Sequence, residues 1–151
     1  MGFLTADGRE TQVTERARPN VANTKRVFGP MGSNITRYEP DKEIVPGVTA
    51  VAAYGHTPGH SGFAITSGNA KLLMVTDAII KPQLFARNLD WPMAFDMDGE
   101  QGKQTRRRLL EMAASERMQV SMYHADFPAT GYVVEDAKRF QMIPVTWQPP
   151  A

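Results

Sequence analysis

The sequence predicts an α/β domain in which helices flank a mixed β-sheet. Three observations support this prediction. From residue 43 onward, stretches rich in β-branched residues alternate with turn sequences such as Pro46-Gly47. A continuous apolar segment, KLLMVTDAII, has the length and composition of a strand buried on both faces. A capped amphipathic helix is expected to begin near Asp98, and further strand-like segments follow it.

The composition is that of one compact globular protein. The chain has 151 residues, of which 42% are hydrophobic and 22% charged, and its formal net charge is +1. This charge gives no electrostatic reason to expect nucleic acid or a membrane surface as a partner. No apolar run has the length of a membrane span, and the first residues turn polar too early for a secretory signal. We therefore expect a cytoplasmic location.

The first part of the chain differs from the rest. Residues 1–40 are polar and predict a lead-in of loop and helix, whereas residues 41–151 predict the domain. Within the lead-in, one short helix is expected at 23–37, interrupted by Gly29-Pro30 and by Gly32.

Strands are expected in four further places. The segments EIVPGVTAVAAYG and GFAITSG predict strands, and a turn at residues 67–69 should join GFAITSG to KLLMVTDAII. The segment MQVSMYH predicts a strand that ends in His124. The segment GYVVEDAKRFQMIPVTW predicts a terminal hairpin that turns near residues 136–138.

The helix that begins at Asp98 has clear local signals. Asp98 is expected to cap the first turn, and Gln101 stands where a capping box requires it. The helix should continue to about Glu116 with Leu109 and Leu110 on its inner face. The run Arg106-Arg107-Arg108 is interpreted as a solvated face of this helix.

An irregular aromatic segment precedes that helix, at residues 81–97. Loops of this length are often functional, so Phe85, Trp91 and Phe95 are candidates to line an apolar pocket. Packing over an edge of the sheet explains the same residues equally well.

The candidate chemistry involves three histidines and one aspartate. His56 and His60 stand close together in GHTPGHSGF, while His124 and Asp77 each follow a strand-like segment. Strand ends converge at one rim of an α/β sheet, so these side chains can meet there. Because the chain has no cysteine, any metal must be held by imidazoles and carboxylates. Taken singly, a histidine at a strand end more often makes a structural hydrogen bond than binds metal, and an aspartate after a strand is more often a helix or turn cap.

The segments GHTPGHSGF, LLMVTDAI and MYHADFPATG resemble the later motifs of the metallo-β-lactamase superfamily. The resemblance is to the branch that contains methyl parathion hydrolase-like and lactone-hydrolase proteins. It covers residues 41–147 and implies the C-terminal half of an αββα sandwich. It also implies that His56 binds one metal ion, that Asp77 bridges two, and that His124 binds the second. His60 would support the site by hydrogen bonding rather than by binding metal.

This sequence also departs from the pattern of that superfamily. The motif H-x-H-x-D-H, which supplies most of both metal sites, is missing, and Thr76 stands where glycine is common before the bridging aspartate. We therefore expect an incomplete site for zinc, or for manganese or iron. Half of a sandwich would leave one sheet face exposed, so we expect either a homodimer or binding to a missing N-terminal half.

Two functions follow as alternatives. The first is a truncated protein of this fold that is catalytically impaired or inactive and retains a partial metal site. The second is a metal-dependent hydrolase of small lactones, esters or phosphotriesters, whose site is completed by dimerisation or by another chain. A binding or regulatory module that uses the aromatic segment is a third possibility, which no residue specifically favours.

Overall fold

The computed structural model describes residues 8, 11, 13, 15, 18–137 and 139–148 of a chain that forms two compact units, Met1–Tyr38 and Glu39–Ala151. In the first unit, helix α1 spans Arg18–Phe28 and a 3₁₀ segment follows at Gly29–Asn34. The helix expected at 23–37 thus begins earlier, because Pro19 suits a first helical turn. Most of the expected loop before Arg18 lies outside the described residues.

The second unit is built on a seven-stranded mixed sheet. Its strands lie side by side in chain order, and every neighbouring pair is antiparallel except β4 and β5, which are parallel. The strands are β1 Glu43–Val45, β2 Val48–Ala52, β3 Ser61–Ser67, β4 Ala70–Met74, β5 Gln119–Ser121, β6 Thr130–Asp136 and β7 Arg139–Pro144.

The connection between β4 and β5 contains the helices of this unit. A 3₁₀ turn at Thr76–Ala78 follows β4, a short helix α2 spans Pro82–Phe85, and helix α3 spans Gly99–Ser115. A parallel pair of strands requires a crossover of this kind, because a tight turn cannot join them. The side chain of Asp98 caps α3 by accepting a hydrogen bond from the backbone of Gln101 at 3.0 Å. The predicted cap is therefore confirmed.

The hydrophobic core lies between α3 and one face of the sheet. Leu73, Val120 and Val133 come from β4, β5 and β6, and they pack in one buried cluster with Leu109 and Leu110 of α3. In the pairing registers, Leu73 stands opposite Val120 and Val120 opposite Gly131. Val133 lies two residues after Gly131 on β6, so the side chains of Leu73, Val120 and Val133 point to the same face of the sheet.

Two strand expectations need correction. The segment KLLMVTDAII is a strand only to Met74, and Asp77 lies in the 3₁₀ turn that follows. Similarly, β5 ends at Ser121, so His124 lies beyond the strand. The terminal hairpin is confirmed, with β6 ending at Asp136 and β7 beginning at Arg139; Lys138, within its expected turn, lies outside the described residues.

A third correction concerns α3. Arg106 was expected on a solvated face, but it is completely buried. It occupies the same stripe as Gly102, Thr105, Leu109 and Leu110, which are all buried. The three- and four-residue spacing of an amphipathic helix therefore places this arginine in the interior.

Candidate metal centre

The segments that follow β2, β4 and β5 bring Asp77, His56 and His124 together. Nε2 of His124 lies 3.0 Å from Oδ1 of Asp77, and Nε2 of His56 lies 3.8 Å from Oδ2 of the same carboxylate. The two histidines thus face different oxygens of one aspartate. The three side chains line a cleft of about 370 Å³, whose remaining walls are formed by Ile80, Lys81, Met93 and Phe95.

Of the aromatic residues expected in a pocket, only Phe95 lines this cleft. Phe85 and Trp91 instead contact each other edge to face, with ring centroids 6.5 Å apart. The guanidinium carbon of Arg106 lies 5.2 Å from the centroid of the Phe85 ring. These two aromatic side chains therefore pack the segment against α3, whereas the alternative interpretation of residues 81–97 was packing over an edge of the sheet.

The position of His56 is fixed by backbone contacts with the start of α3. The backbone N–H of Asp98 donates to the carbonyl of Gly55 at 2.9 Å, and that of Met97 donates to the carbonyl of His56 at 3.2 Å. Gly55 has a φ of +124°, and a Cβ there would lie 2.3 Å from the backbone nitrogen of Gly102. Glycine is therefore required at position 55 both by conformation and by close packing.

The side chain of His56 is also held. Its Nδ1 lies 3.4 Å from Oδ1 of Asp96, whose side chain is only 1% exposed. The hydrogen bond that His56 donates to Asp96 raises the pKa of His56, burial opposes this effect, and the charge of Asp77 also raises the pKa. With Nδ1 donating to Asp96, the Nε2 atom is the one left to face Asp77 and a metal ion.

His60 does not line the cleft, although its ring centroid lies 5.1 Å from that of His56. Its Nδ1 donates to the carbonyl of Ala53 at 3.1 Å, and its Nε2 lies 3.0 Å from Oγ1 of Thr76. Burial lowers the pKa of His60, although the hydrogen bond to Ala53 opposes this. A neutral imidazole that donates from Nδ1 is an acceptor at Nε2. The single hydroxyl proton of Thr76 therefore has three acceptors within 3.0 Å: Nε2 of His60 and the carbonyls of Ser61 and Val75.

Thr76 connects His60 to Asp77 through an unusual backbone conformation. Its φ is +51°, in the left-handed region that β-branched residues rarely adopt. This conformation explains why glycine suits the position before the aspartate. In this chain, the buried hydroxyl contacts His60 and the carbonyls of Ser61 and Val75, and these contacts hold the turn that presents Asp77.

Two residues near the site, Asp96 and Arg106, were not predicted from the sequence. Nη2 of Arg106 lies 3.6 Å from Oδ2 of Asp96, and both side chains are buried. Burial lowers the pKa of Arg106, and the charge of Asp96 opposes this. The helical spacing of Arg106 relative to Leu109 and Leu110 was a signal that could have been used. Asp96 had no local signal, because its burial depends on the packing of α3.

The donors suit a metal in kind but are few in number. Imidazole nitrogen and carboxylate oxygen are suitable ligands for zinc, manganese or iron, and Nε2 of His56 is directed by Asp96 as metal-binding imidazoles usually are. However, within the part of the chain that the structure describes, no three His, Asp or Glu side chains could hold one metal ion together. The residues therefore fit part of a metal centre.

Solved structures of metallo-β-lactamase-superfamily hydrolases are structural neighbours of this chain. AidC, a dizinc quorum-quenching lactonase, aligns with a TM-score of 0.85 and 22% identity, over 98% of this chain and 52% of AidC. AbOPH, a hydrolase of the β-lactamase superfamily, aligns with a TM-score of 0.82 and 18% identity, over 98% of this chain and 53% of AbOPH. The chain thus spans about half the length of these structures.

An N-acyl homoserine lactone hydrolase, solved with the product N-hexanoyl-L-homoserine at its catalytic metal centre, aligns less extensively. Its TM-score is 0.50 with 28% identity, over 58% of this chain and 34% of that one. No protein-family model and no curated protein matches the sequence. The predicted fold, a mixed sheet with flanking helices of the metallo-β-lactamase type, is confirmed by these structures.

Among the described residues, no helix combines the length and the apolar character needed to cross a bilayer.

Proposed function

We propose that the chain supplies one half of a dinuclear metal centre that hydrolyses lactones, esters or phosphotriesters. The observation that carries this proposal is the position of Asp77 between two histidines. Its Oδ1 lies 3.0 Å from Nε2 of His124, and its Oδ2 lies 3.8 Å from Nε2 of His56. A carboxylate in this position is suited to bridge two metal ions, with one histidine on each ion.

Zinc is the metal that we propose, with manganese or iron as alternatives that accept the same donors. Two divalent ions, one held by His56, the other by His124 and both by Asp77, would supply Lewis-acid polarisation of a carbonyl or phosphoryl oxygen. The chain itself would orient these donors. Asp96 directs Nε2 of His56, while the Thr76 hydroxyl and His60 hold the turn that carries Asp77.

The cleft supports a substrate with an apolar arm. Ile80, Met93 and Phe95 contribute apolar wall to the cleft that the proposed metal donors also line. Such a wall would accept an acyl chain while the polar reacting group faces Asp77 and the histidines. An N-acyl homoserine lactone has this division of polarity. The neighbouring hydrolase with N-hexanoyl-L-homoserine at its metal centre agrees with that choice.

The number of donors limits what the chain can do by itself. A hydrolytic zinc site normally has three protein ligands and one open position. Here each ion of a pair would receive one histidine and a share of Asp77. We therefore propose that the chain alone is catalytically impaired. The remaining donors would come from a second copy of the chain or from another polypeptide segment.

The bridging role of Asp77 can be tested by zinc binding. Zinc affinity is measured by competition with a chromophoric chelator for the wild type, Asp77→Asn and Asp136→Asn. Asp136→Asn is the matched control, because it changes an exposed aspartate at the end of β6. We expect Asp77→Asn to weaken binding by more than about tenfold and the control to leave it unchanged. Equal zinc affinity in Asp77→Asn and the wild type would overturn the proposal.

The proposed impairment is tested by turnover. Hydrolysis of N-hexanoyl homoserine lactone and of an aryl ester is followed in zinc at increasing chain concentration. We expect very low specific activity at low concentration, and a rise with concentration if a second copy completes the centre. High specific activity that is independent of concentration would contradict the proposed impairment.

A further inference from the structure

Asp96 is a buried carboxylate beside His56, one of the proposed metal donors. Its Oδ1 lies 3.4 Å from Nδ1 of His56, on the side of the imidazole away from Asp77. Its Oδ2 is buried and, among the residues that the structure describes, accepts no hydrogen bond. Because an ionised carboxylate in a protein interior is costly without compensation, this residue requires a compensating charge.

Arg106 provides that charge. Its side chain is completely buried, and its Nη2 lies 3.6 Å from Oδ2 of Asp96. The guanidinium is itself fixed from the opposite side, since Nη1 donates to the carbonyls of Leu89 at 3.1 Å and Trp91 at 3.2 Å. Arg106 therefore connects the segment before α3 to the carboxylate that faces His56.

The local packing leaves Asp96 little freedom to move away from His56. A Cβ at Gly102 would lie only 2.4 Å from Oδ2 of Asp96, so this first-turn glycine of α3 makes room for the carboxylate. The backbone of residues 55 and 56 is hydrogen-bonded to residues 97 and 98, which follow Asp96 directly. The histidine and the carboxylate are thus held at one place by the same short stretch of backbone.

A buried ion pair is weak evidence for a stabilising role. An apolar pair of similar volume is often as favourable as a buried pair or more so, because both charges lose their hydration. Nε and Nη2 of Arg106 also find no hydrogen-bond partner within the described ranges, so the geometry is poor for stability alone. What the pair does achieve is a fixed negative group beside Nδ1 of His56.

We propose that Asp96 and Arg106 form a positioning pair that sets the tautomer and orientation of His56, so that Nδ1 carries the proton and Nε2 faces Asp77. This inference rests on the proposed function for its purpose, but its structural content can be measured without metal. Arg106 acts through Asp96, and Asp96 acts through His56. Neither residue touches the substrate or the metal ion in this assignment.

The first test is NMR of the metal-free chain at a pH where the imidazole is neutral. Long-range ¹H–¹⁵N correlation distinguishes protonated from unprotonated ring nitrogens, and each of the three histidines is assigned by loss of its signals on substitution. We expect His56 of the wild type to be protonated at Nδ1. In Asp96→Asn, whose amide is close in shape to the carboxylate, this preference should be weakened or reversed. Protonation of His56 at Nε2 in the wild type would overturn the proposal, as would an unchanged tautomer in Asp96→Asn.

The role of Arg106 is tested with a conservative series. Arg106→Met should weaken the Nδ1 preference of His56, whereas Arg106→Lys, which keeps the charge beside Asp96, should restore most of it. Arg107→Met is the matched control, because Arg107 is the next residue on α3 and contacts neither Asp96 nor His56. If Arg106→Met fails to fold, as shown by circular dichroism, Arg106→Lys and Asp96→Asn still decide the question. A tautomer that is the same in Arg106→Met and in the wild type would overturn the part assigned to Arg106.

A zinc competition titration separates this inference from the proposed function. Removal of the groups that orient a metal-binding histidine typically lowers metal affinity by about 10- to 100-fold. We expect a loss of that size in Asp96→Asn and none in Arg107→Met. If the wild type binds no zinc, the proposed function fails while the tautomer measurement still stands. If zinc binds and the affinity in Asp96→Asn is unchanged, the positioning pair is refuted and the metal centre is not.

Discussion

Gly55→Ala tests the close packing that places His56. The wild-type φ of +124° is open essentially only to glycine, and an added Cβ would meet Gly102 N at 2.3 Å, Gly102 Cα at 2.4 Å and Gln101 C at 2.9 Å. All three are backbone atoms in the first turn of α3, so no flexible side chain can yield. The change should therefore both strain the backbone and separate the two segments.

The size of the effect follows from two contributions. A residue with a Cβ at positive φ costs roughly 1–2 kcal/mol, and overpacking of a tight contact adds roughly 1–3 kcal/mol. We expect Gly55→Ala to lower the free energy of unfolding by about 2–5 kcal/mol. For a chain of this length, that corresponds to a decrease in Tm on the order of 10 °C.

Gly68→Ala is the matched control for this prediction. Gly68 also has a positive φ, of +56°, but a Cβ there would meet no atom within 4 Å. It should therefore show only the conformational cost of roughly 1–2 kcal/mol. Both variants are measured by urea denaturation in metal-free buffer. If Gly55→Ala is no less stable than Gly68→Ala, the contact between Gly55 and α3 is not as tight as the structure has it.

Two further predictions concern pH and association. Burial lowers the pKa of His60 in the folded state, so the contribution of His60 to stability is present above pH 6.5 and is lost as the pH falls through the folded pKa. Asp96 raises the pKa of His56, so the contribution of His56 is present below pH 6.5 and is lost as the pH rises through the folded pKa. Urea denaturation of the metal-free chain should therefore show the largest loss in His60→Gln at pH 8 and in His56→Gln at about pH 5, and the reverse order would refute both assignments. Sedimentation should detect a homodimer, because Tyr132 and Ile143 form an exposed cross-strand pair on the sheet, 48% and 44% accessible. Tyr132→Glu should convert the homodimer to a monomer, whereas the control Gln104→Glu on α3 should leave the homodimer intact. A wild-type chain that stays monomeric at high concentration would contradict the expectation.

The strands could be predicted because their signals are local. The turn of residues 67–69 and the cap at Asp98 each depend on neighbours in sequence, and the structure has both where the sequence placed them. The strand expected in KLLMVTDAII is present as β4, but it is not buried on both faces, because only Leu73 of Ala70–Met74 is buried. The ends of β4 and β5 were less predictable. The chain leaves the ladder before Asp77 and His124, because these residues turn towards the cleft rather than continue the pairing.

The candidate metal donors and the supporting role of His60 were predicted only by resemblance, and two of the groups beside them, Asp96 and Arg106, were not predicted. A histidine or an aspartate after a strand has many ordinary roles, so spacing alone did not distinguish them. Asp96 is buried only because α3 packs beside it, and its partner Arg106 lies ten residues away. The cost of burying both charges depends on tertiary packing, so it could not be inferred from the composition or the charge pattern of the sequence.

The support around the candidate centre is unequal, and this inequality indicates where further donors must enter. His56 is fixed by Asp96 and by the packing of Gly55, and the turn with Asp77 is fixed by Thr76. By contrast, the side chain of His124 is 57% exposed, and its one hydrogen bond among the described residues goes to Asp77. A metal ion on the His56 side would find its protein ligands already oriented, whereas one on the His124 side would have to order its ligand on binding. Under the proposed function, further donors are therefore needed most on the exposed side of His124. A second copy or another segment that completes the centre should contact that side, and not the buried side where α3 already holds His56.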